Sequence, residues 1–245
     1  LDDLNISLDS LDAEQFQQLT AKKLQPVLDG IAAAQQAGLS IKINTVLMRG
    51  SNDDQIVPLT RWAEQRGIPL RFIEYMPLDG DGQWQQQQVV TEQHILQVLA
   101  QQYAITPIQQ MHEPARYYQL SALHHQGNAG NSEQDQHAAS HQNTFKIGII
   151  STISHAFCGE CDRIRITAQG ELFNCLFAEQ GLPLKNLLEQ WYVMKTPALK
   201  AQIIHKIQQY IWYKAEGYHT IQQQKQFQTN TQTHVRKISM HMLGG

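Results

Sequence analysis

The chain has 245 residues, 19 Lys and Arg against 22 Asp and Glu, with 42% hydrophobic and 17% charged residues. That length buries the core of one large α/β domain or two smaller ones, and the missing charge is replaced by glutamine rather than by disorder-promoting residues. A formal net charge of −3 without any Lys/Arg run argues against a nucleic-acid polymer as partner, and no apolar stretch approaches a membrane span.

The chain starts at Leu1 without methionine and enters a strand by Asn5, so it reads as the later part of a longer protein. Asn5-Ile6-Ser7-Leu8 is extended, and Asp12 with Gln15 makes a capping box for a helix to about Leu24. Pro26 opens a second helix, with Val27, Ile31 and Ala34 near one face and Gly38 as its stop. Ile41 to Leu47 is a strand, Asp53 to Arg66 a helix closed by Gly67, and Leu70 to Met76 a third strand ended by Pro77. Strand–helix–strand at this spacing predicts a parallel sheet within a barrel.

These strands carry charge where parallel strands usually read as continuous aliphatics. Lys42 and Asn44 share one face of the second strand, and Arg71 and Glu74 interrupt the third. Lys42, between Ile41 and Ile43, reads as a cation facing a cavity for an anion. For Arg71 and Glu74 an edge strand explains the pattern equally well.

Beyond Gly80-Asp81-Gly82, an amphipathic helix is predicted over Thr91 to Tyr103, then short strands around Ile105 and Tyr117. Residues 124–143 form a His/Gln/Asn/Gly-rich insertion without apolar period, expected to be disordered. Phe145 to Ile150 restores order. Further on, Thr196-Pro197 starts a helix whose core face is Leu199, Ile203, Ile207 and Ile211, while Trp191 and Trp212 read as packing anchors.

The strongest signal is Cys158-Gly159-Glu160-Cys161, followed after thirteen residues by Cys175. An odd count of three cysteines makes a disulfide framework improbable and a reducing, cytoplasmic setting the expectation. Arg163 to Ile166 alternates with period two, Ala168-Gln169-Gly170 is a turn, and Glu171 to Phe173 resumes extended structure. A hairpin centred near Gln169 sets Cys161 opposite about Phe177, with Cys175 one residue pair away. Three thiolates then converge. They suit a zinc completed by His155, or a [4Fe–4S] cluster with one open iron. Arg163 and Arg165 follow the second cysteine on one strand face and suit phosphate oxygens.

Asn5-Ile6-Ser7-Leu8-Asp9, Arg71-Phe72-Ile73-Glu74-Tyr75-Met76, Cys158-x-x-Cys161-x-Arg163-x-Arg165 with Cys175-Leu176-Phe177, and terminal Gly244-Gly245 occur in this order. Together they resemble the radical-SAM GTP 3′,8-cyclase family of molybdenum cofactor biosynthesis. The resemblance implies an α/β chain: a partial (βα)6 barrel over residues 1–104, then a smaller α+β iron–sulfur extension over 105–245. It implies that Cys158, Cys161 and Cys175 hold the second [4Fe–4S] cluster, whose open iron takes the guanine. Ser7 and Met76 would meet S-adenosylmethionine. Lys42, Arg163, the backbone of Ile164 and Arg165 would meet GTP, with Arg163 and Arg165 as catalytic residues. The flexible Gly-Gly tail would reach the active site. Another cluster, expected in an amino-terminal portion, makes the radical from a C-x-x-x-C-x-x-C motif that these residues lack. No turnover by this segment alone is therefore expected. The product would pass to the cyclic pyranopterin monophosphate synthase, and a homodimer is among the expected assemblies. A Cys3His zinc interaction module and another radical-SAM enzyme with an auxiliary cluster are the alternatives.

Overall fold

The computed structural model describes residues 3–78, 84–108, 113–123, 144–155, 161–178 and 180–214. Cys158, the insertion at 124–143, the turn at Gly80-Asp81-Gly82 and the Gly244-Gly245 tail lie outside them. The chain divides into two compact units, 1–75 with 85–155, and 76–84 with 156–245. The boundary expected near residue 104 is therefore displaced. Residues 103–150 contribute three strands to the same sheet as the first three, and belong with them.

The first unit is a six-stranded mixed sheet carrying helices. Strands β1 (Asp3–Ser7), β2 (Ser40–Leu47), β3 (Leu70–Glu74) and β6 (Thr144–Ile150) run parallel. Strands β5 (Arg116–Ala122) and β4 (Tyr103–Ile108) extend the β6 side antiparallel, giving the order β1-β2-β3-β6-β5-β4. Helices α1 (Ala13–Thr20), α2 (Leu24–Gln36), α3 (Ile56–Arg66) and α4 (Glu92–Leu99) supply Phe16, Ile31, Leu59, Ala63, Ile95 and Leu99 to one core with Ile43, Leu47, Leu70, Phe72 and Ile147. Each fully buried aliphatic of this kind contributes about 1.5–3 kcal/mol by leaving water.

Local signals set the helix ends. The carboxylate of Asp12 accepts the amide of Gln15 at 2.8 Å, as the capping pattern requires. The helix it starts stops at Thr20 rather than near Leu24, because Ala21 turns left-handed at φ 56°, and the second helix begins at Leu24, two residues before Pro26. Thr91 caps α4, which ends at Leu99 rather than Tyr103, since Tyr103 already pairs with Ala122 in the sheet.

Alternation along the parallel strands sorts the misfit residues. Ile41, Ile43, Thr45 and Leu47 point to the buried face of β2, leaving Lys42, Asn44 and Val46 on a half-exposed one. On β3 the same alternation separates Arg71, half-exposed, from Glu74, fully buried. Neither needs an edge position, for β3 lies between β2 and β6.

The second unit holds the short antiparallel sheet β7 (Arg165–Ile166), β8 (Glu171–Phe173) and β9 (Leu182–Pro183), followed by α5 (Lys185–Met194) and α6 (Pro197–Trp212). Leu172, Phe173, Leu184 and Ile203 are buried. The expected apolar stripe of α6 is only partly inside. Ile203 is buried, Leu199 and Ile207 are half-buried, and Ile211 is exposed. Trp212 is 85% exposed and is not a packing anchor. Among the described residues no helix is long and apolar enough to cross a membrane.

Candidate functional site

Two groups of side chains stand where the sequence placed chemistry, one in each unit. In the first unit they occupy the polar face of the parallel strands. Asn5 pairs in register with Lys42, Ser7 with Asn44, and Asn44 with Arg71. Lys42 Nζ lies 3.2 Å from Asp3 Oδ2, with the two side chains 38% and 50% exposed. Arg71 donates from Nε to Asn44 Oδ1 at 2.9 Å and from its terminal nitrogen to Asn5 Oδ1. Its stem crosses β6 at Gly148, where an added Cβ would stand 3.0 Å from Arg71 Cγ and 3.0 Å from Tyr117 Cε1. A side chain at Gly148 would displace the guanidinium from this face.

Two basic residues and three short polar ones thus lie along adjacent strands. Ser7 closes β1 at its carboxyl end, the end at which parallel α/β sheets take their ligands. Arg71 belongs to this group, although composition and period left it ambiguous. The signal that could have found it is its register opposite Asn44, with a glycine on the other neighbour.

Just beyond Ser7, Asp9 accepts the amide of Val46 at 2.8 Å. Burial pushes its carboxyl above the ordinary aspartate value, and the Val46 amide opposes the shift.

In the second unit the hairpin forms with the expected centre. Arg165 pairs with Phe173 and Ile166 with Leu172, a register symmetric about residue 169. The strand is shorter than predicted and begins at Arg165, so Arg163 precedes it and is exposed. The turn is tied by Gly170 N to Thr167 O at 2.9 Å, Thr167 N to Glu171 O at 2.9 Å, and Glu171 N to Thr167 Oγ1 at 3.2 Å. Gly170 adopts φ +76°, and Lys185 at the start of α5 packs where its side chain would be.

Cys161 and Cys175 are half-buried thiols. Both act electrostatically on Arg165. Burial and then the like charge of Arg163 pull the Arg165 guanidinium below the usual arginine value, while Cys161 and Cys175 pull it back. Arg165 therefore feels two thiols and a second guanidinium at once.

The segment with Cys175 is fastened to α6. Buried Asn174 donates to Tyr210 O at 2.8 Å, and Tyr210 Oη donates to Gln180 O at 2.8 Å. Burial pushes the Tyr210 phenol up, and the Cys175 charge adds to the rise. Lys214 donates to the carbonyl of Cys161. Asn174, Tyr210 and Lys214 have no pattern in the sequence that announces this role.

Met76, two residues past β3, is half-buried, and its carbonyl accepts Leu78 N at 2.8 Å. Among the described residues no group of three or more His, Cys, Asp and Glu gathers as a metal site; the third cysteine, Cys158, lies outside them.

Comparison with known proteins adds a second kind of observation. The family model described as Molybdenum Cofactor Synthesis C matches residues 68–220. The chain is 40% identical over 192 residues to a GTP 3′,8-cyclase of Mycolicibacterium smegmatis, a match over 77% of this chain and 49% of that protein. It is 40% identical over 190 residues to the enzyme of that name from Corynebacterium glutamicum, covering 77% of this chain and 47% of the relative. With the GTP 3′,8-cyclase of Paenarthrobacter nicotinovorans it shares 34% over 217 residues, 88% of this chain and 58% of the other. The chain spans about half the length of the curated relatives it matches.

Proposed function

Because the chain belongs to the Molybdenum Cofactor Synthesis C family, we propose that it forms the carboxy-terminal part of a GTP 3′,8-cyclase, a radical-SAM lyase of molybdenum cofactor biosynthesis. The observation that carries the proposal is the hairpin whose Arg165 is acted on by Arg163, Cys161 and Cys175 together.

The donor set suits an iron–sulfur cluster. Thiolates are its usual ligands, and two of the three expected here, Cys161 and Cys175, flank the hairpin paired at Arg165–Phe173 and Ile166–Leu172. Cys158, Cys161 and Cys175 would hold it. Bound, the cluster supplies an iron with an open position for the guanine base. The chain's own part is to orient GTP. Arg163 and Arg165 offer planar, permanently charged forks to phosphate oxygens, with the Ile164 backbone between them. The half-burial of Arg165 makes its charge count for more than a solvated one.

On the first unit's polar face, Lys42 would take a further phosphate. Its present partner Asp3 is exposed, and such a pair is worth at most about 1 kcal/mol, so a nucleotide can displace it. Ser7 and Met76, at and just past carboxyl ends of parallel strands, would meet S-adenosylmethionine. The four parallel strands would then be later strands of the (βα)6 barrel, and the Gly244-Gly245 tail would approach the site. Radical generation needs a C-x-x-x-C-x-x-C motif that these residues lack, so 5′-deoxyadenosine is not expected from this chain alone with GTP and reductant.

Titration of GTP into the anaerobically reconstituted chain tests the assignment. Replacing Arg163 or Arg165 with Ala is expected to weaken binding by about 1.5–3 kcal/mol each, the range for a charged hydrogen bond. Unchanged affinity in both variants contradicts it.

A second reading draws on His155, whose Nδ1 lies 3.1 Å from Glu92 Oε2. A carboxylate at that nitrogen is how zinc-binding histidines are oriented, which suits a Cys3His zinc module. That reading has no use for the arginine pair.

A further inference from the structure

Glu74 is 0% exposed and Glu92 3% exposed, and neither has a part in the cluster or GTP roles above. Buried carboxylates are costly unless their oxygens are satisfied, so the donors around these two matter. Glu74 Oε2 accepts the amides of Ile153 and Ser154, each at 2.8 Å. Its Oε1 accepts the Ser154 hydroxyl and, at 3.2 Å, the amide of Glu92. Glu92, in the first turn of α4, accepts the Ser151 hydroxyl at 2.8 Å and an Arg116 nitrogen at 3.2 Å through Oε2, and the Tyr118 hydroxyl through Oε1. His155 Nδ1 completes the set at 3.1 Å from the same Oε2.

Residues 151–155 form no strand or helix, so these two carboxylates replace the ladder bonds that β6 had until Ile150. The segment is held at Ser151, Ile153, Ser154 and His155, mostly by charge-assisted bonds, which are about twice as strong as neutral ones. What it leads to gives the arrangement its use. The chain leaves the first unit after Tyr75 and again after His155. Met76 follows Glu74 by two residues, and Cys158 follows Ser154 by four. One carboxylate thus fastens both departures, at the end of β3 and at the approach to the cysteines.

We propose that Glu74 is a positioning residue, whose carboxylate fixes the segment that delivers the cysteine loop and so controls how firmly the cluster is held. This rests on the reading of Cys158, Cys161 and Cys175 as cluster ligands. Glu92 supports the same segment from the other side, through Ser151 and His155.

The test compares the reconstituted 245-residue chain with Glu74→Gln and Ser154→Ala. Three readouts are taken: amide exchange at residues 151–155 with and without metal, the rate at which a ferrous chelator strips iron, and the electron paramagnetic resonance spectrum of the reduced protein. Glu74→Gln turns a carboxylate oxygen into an amide donor facing backbone amides. It is expected to speed exchange at Ile153 and Ser154 and iron release by at least about tenfold, and to shift the resonance lines. Ser154→Ala removes one hydroxyl, keeps the fold, and is expected to move all three readouts in the same direction by less. Faster exchange in Glu74→Gln with unchanged iron release and an unchanged spectrum reduces Glu74 to a purely structural group and overturns the proposal. Should Glu74→Gln not fold, an unchanged iron-release rate in Ser154→Ala overturns it. A parent chain that takes up no cluster overturns the underlying reading, a result visible before any variant is made.

Discussion

Replacing Gly170 with Ala loads the turn that sets the hairpin register. The residue sits at φ +76°, where an L side chain costs roughly 1–2 kcal/mol. The new Cβ would also stand 3.0 Å from Lys185 Cβ, 3.2 Å from its Cα and 3.3 Å from its N. Two of those atoms are backbone at the start of α5 and cannot swing aside, so crowding adds about 1–2 kcal/mol. The expected loss is about 2–4 kcal/mol, at its lower limit about thirtyfold in the folded-to-unfolded ratio. Urea unfolding followed by tryptophan fluorescence measures it, since Trp191 and Trp212 belong to the second unit. Gly170→Asn serves as the control. Asparagine tolerates the left-handed region but retains the Cβ contact, so its loss should be about half as large. An Ala variant within about 0.5 kcal/mol of the parent, or an Asn variant as costly as Ala, would refute the reasoning.

Two other expectations follow from the first unit. Burial first, and then the Glu64 carboxylate that accepts its hydroxyl at 2.9 Å, push the Tyr103 phenol up to about 12. The folded state therefore holds this proton more tightly than the unfolded chain, and the stability it brings is complete below pH 10 and lost as pH rises toward about 12. Unfolding midpoints across that window should fall more steeply for the parent than for Tyr103→Phe; equal slopes count against it. Lys42→Met should change stability by less than about 1 kcal/mol, because the pair with Asp3 is exposed, yet weaken GTP binding at least about fivefold. Calorimetric titration beside thermal unfolding reads both, and a folded variant that binds GTP as tightly as the parent contradicts the role given to Lys42.

How much the sequence disclosed depended on whether the decisive partner was near in the chain. The β1-to-β3 alternation was legible because the stop and start signals are local: Asp12 caps α1, and Gly67 closes α3 with a left-handed turn. The hairpin centre at residue 169 was legible too, since a glycine turn and period-two strands fix the register over a few residues. Ala21 was not, because an alanine in the left-handed region carries no composition signal and is held by its surroundings. The placement of residues 103–150 in the first sheet was missed for another reason. Pairing of β3 with β6 joins residues more than seventy positions apart, and no turn between them announces it. Glu74 is the sharpest case. A charged residue in a buried strand looked like an edge signal, whereas its four donors come mostly from residues 151–155, beyond any local pattern. The polar face was half legible: Lys42 and Asn44 showed their shared side by period two, but Arg71 joined them only through cross-strand register.

Iron and acid-labile sulfide per chain, counted after strictly anaerobic reconstitution with zinc assayed in the same sample, probe the thiol assembly most directly. About four of each per chain is expected, falling to near zero when Cys161 and Cys175 are both changed to Ser. One zinc per chain with negligible sulfide, lost when His155 is replaced by Ala, would contradict the account.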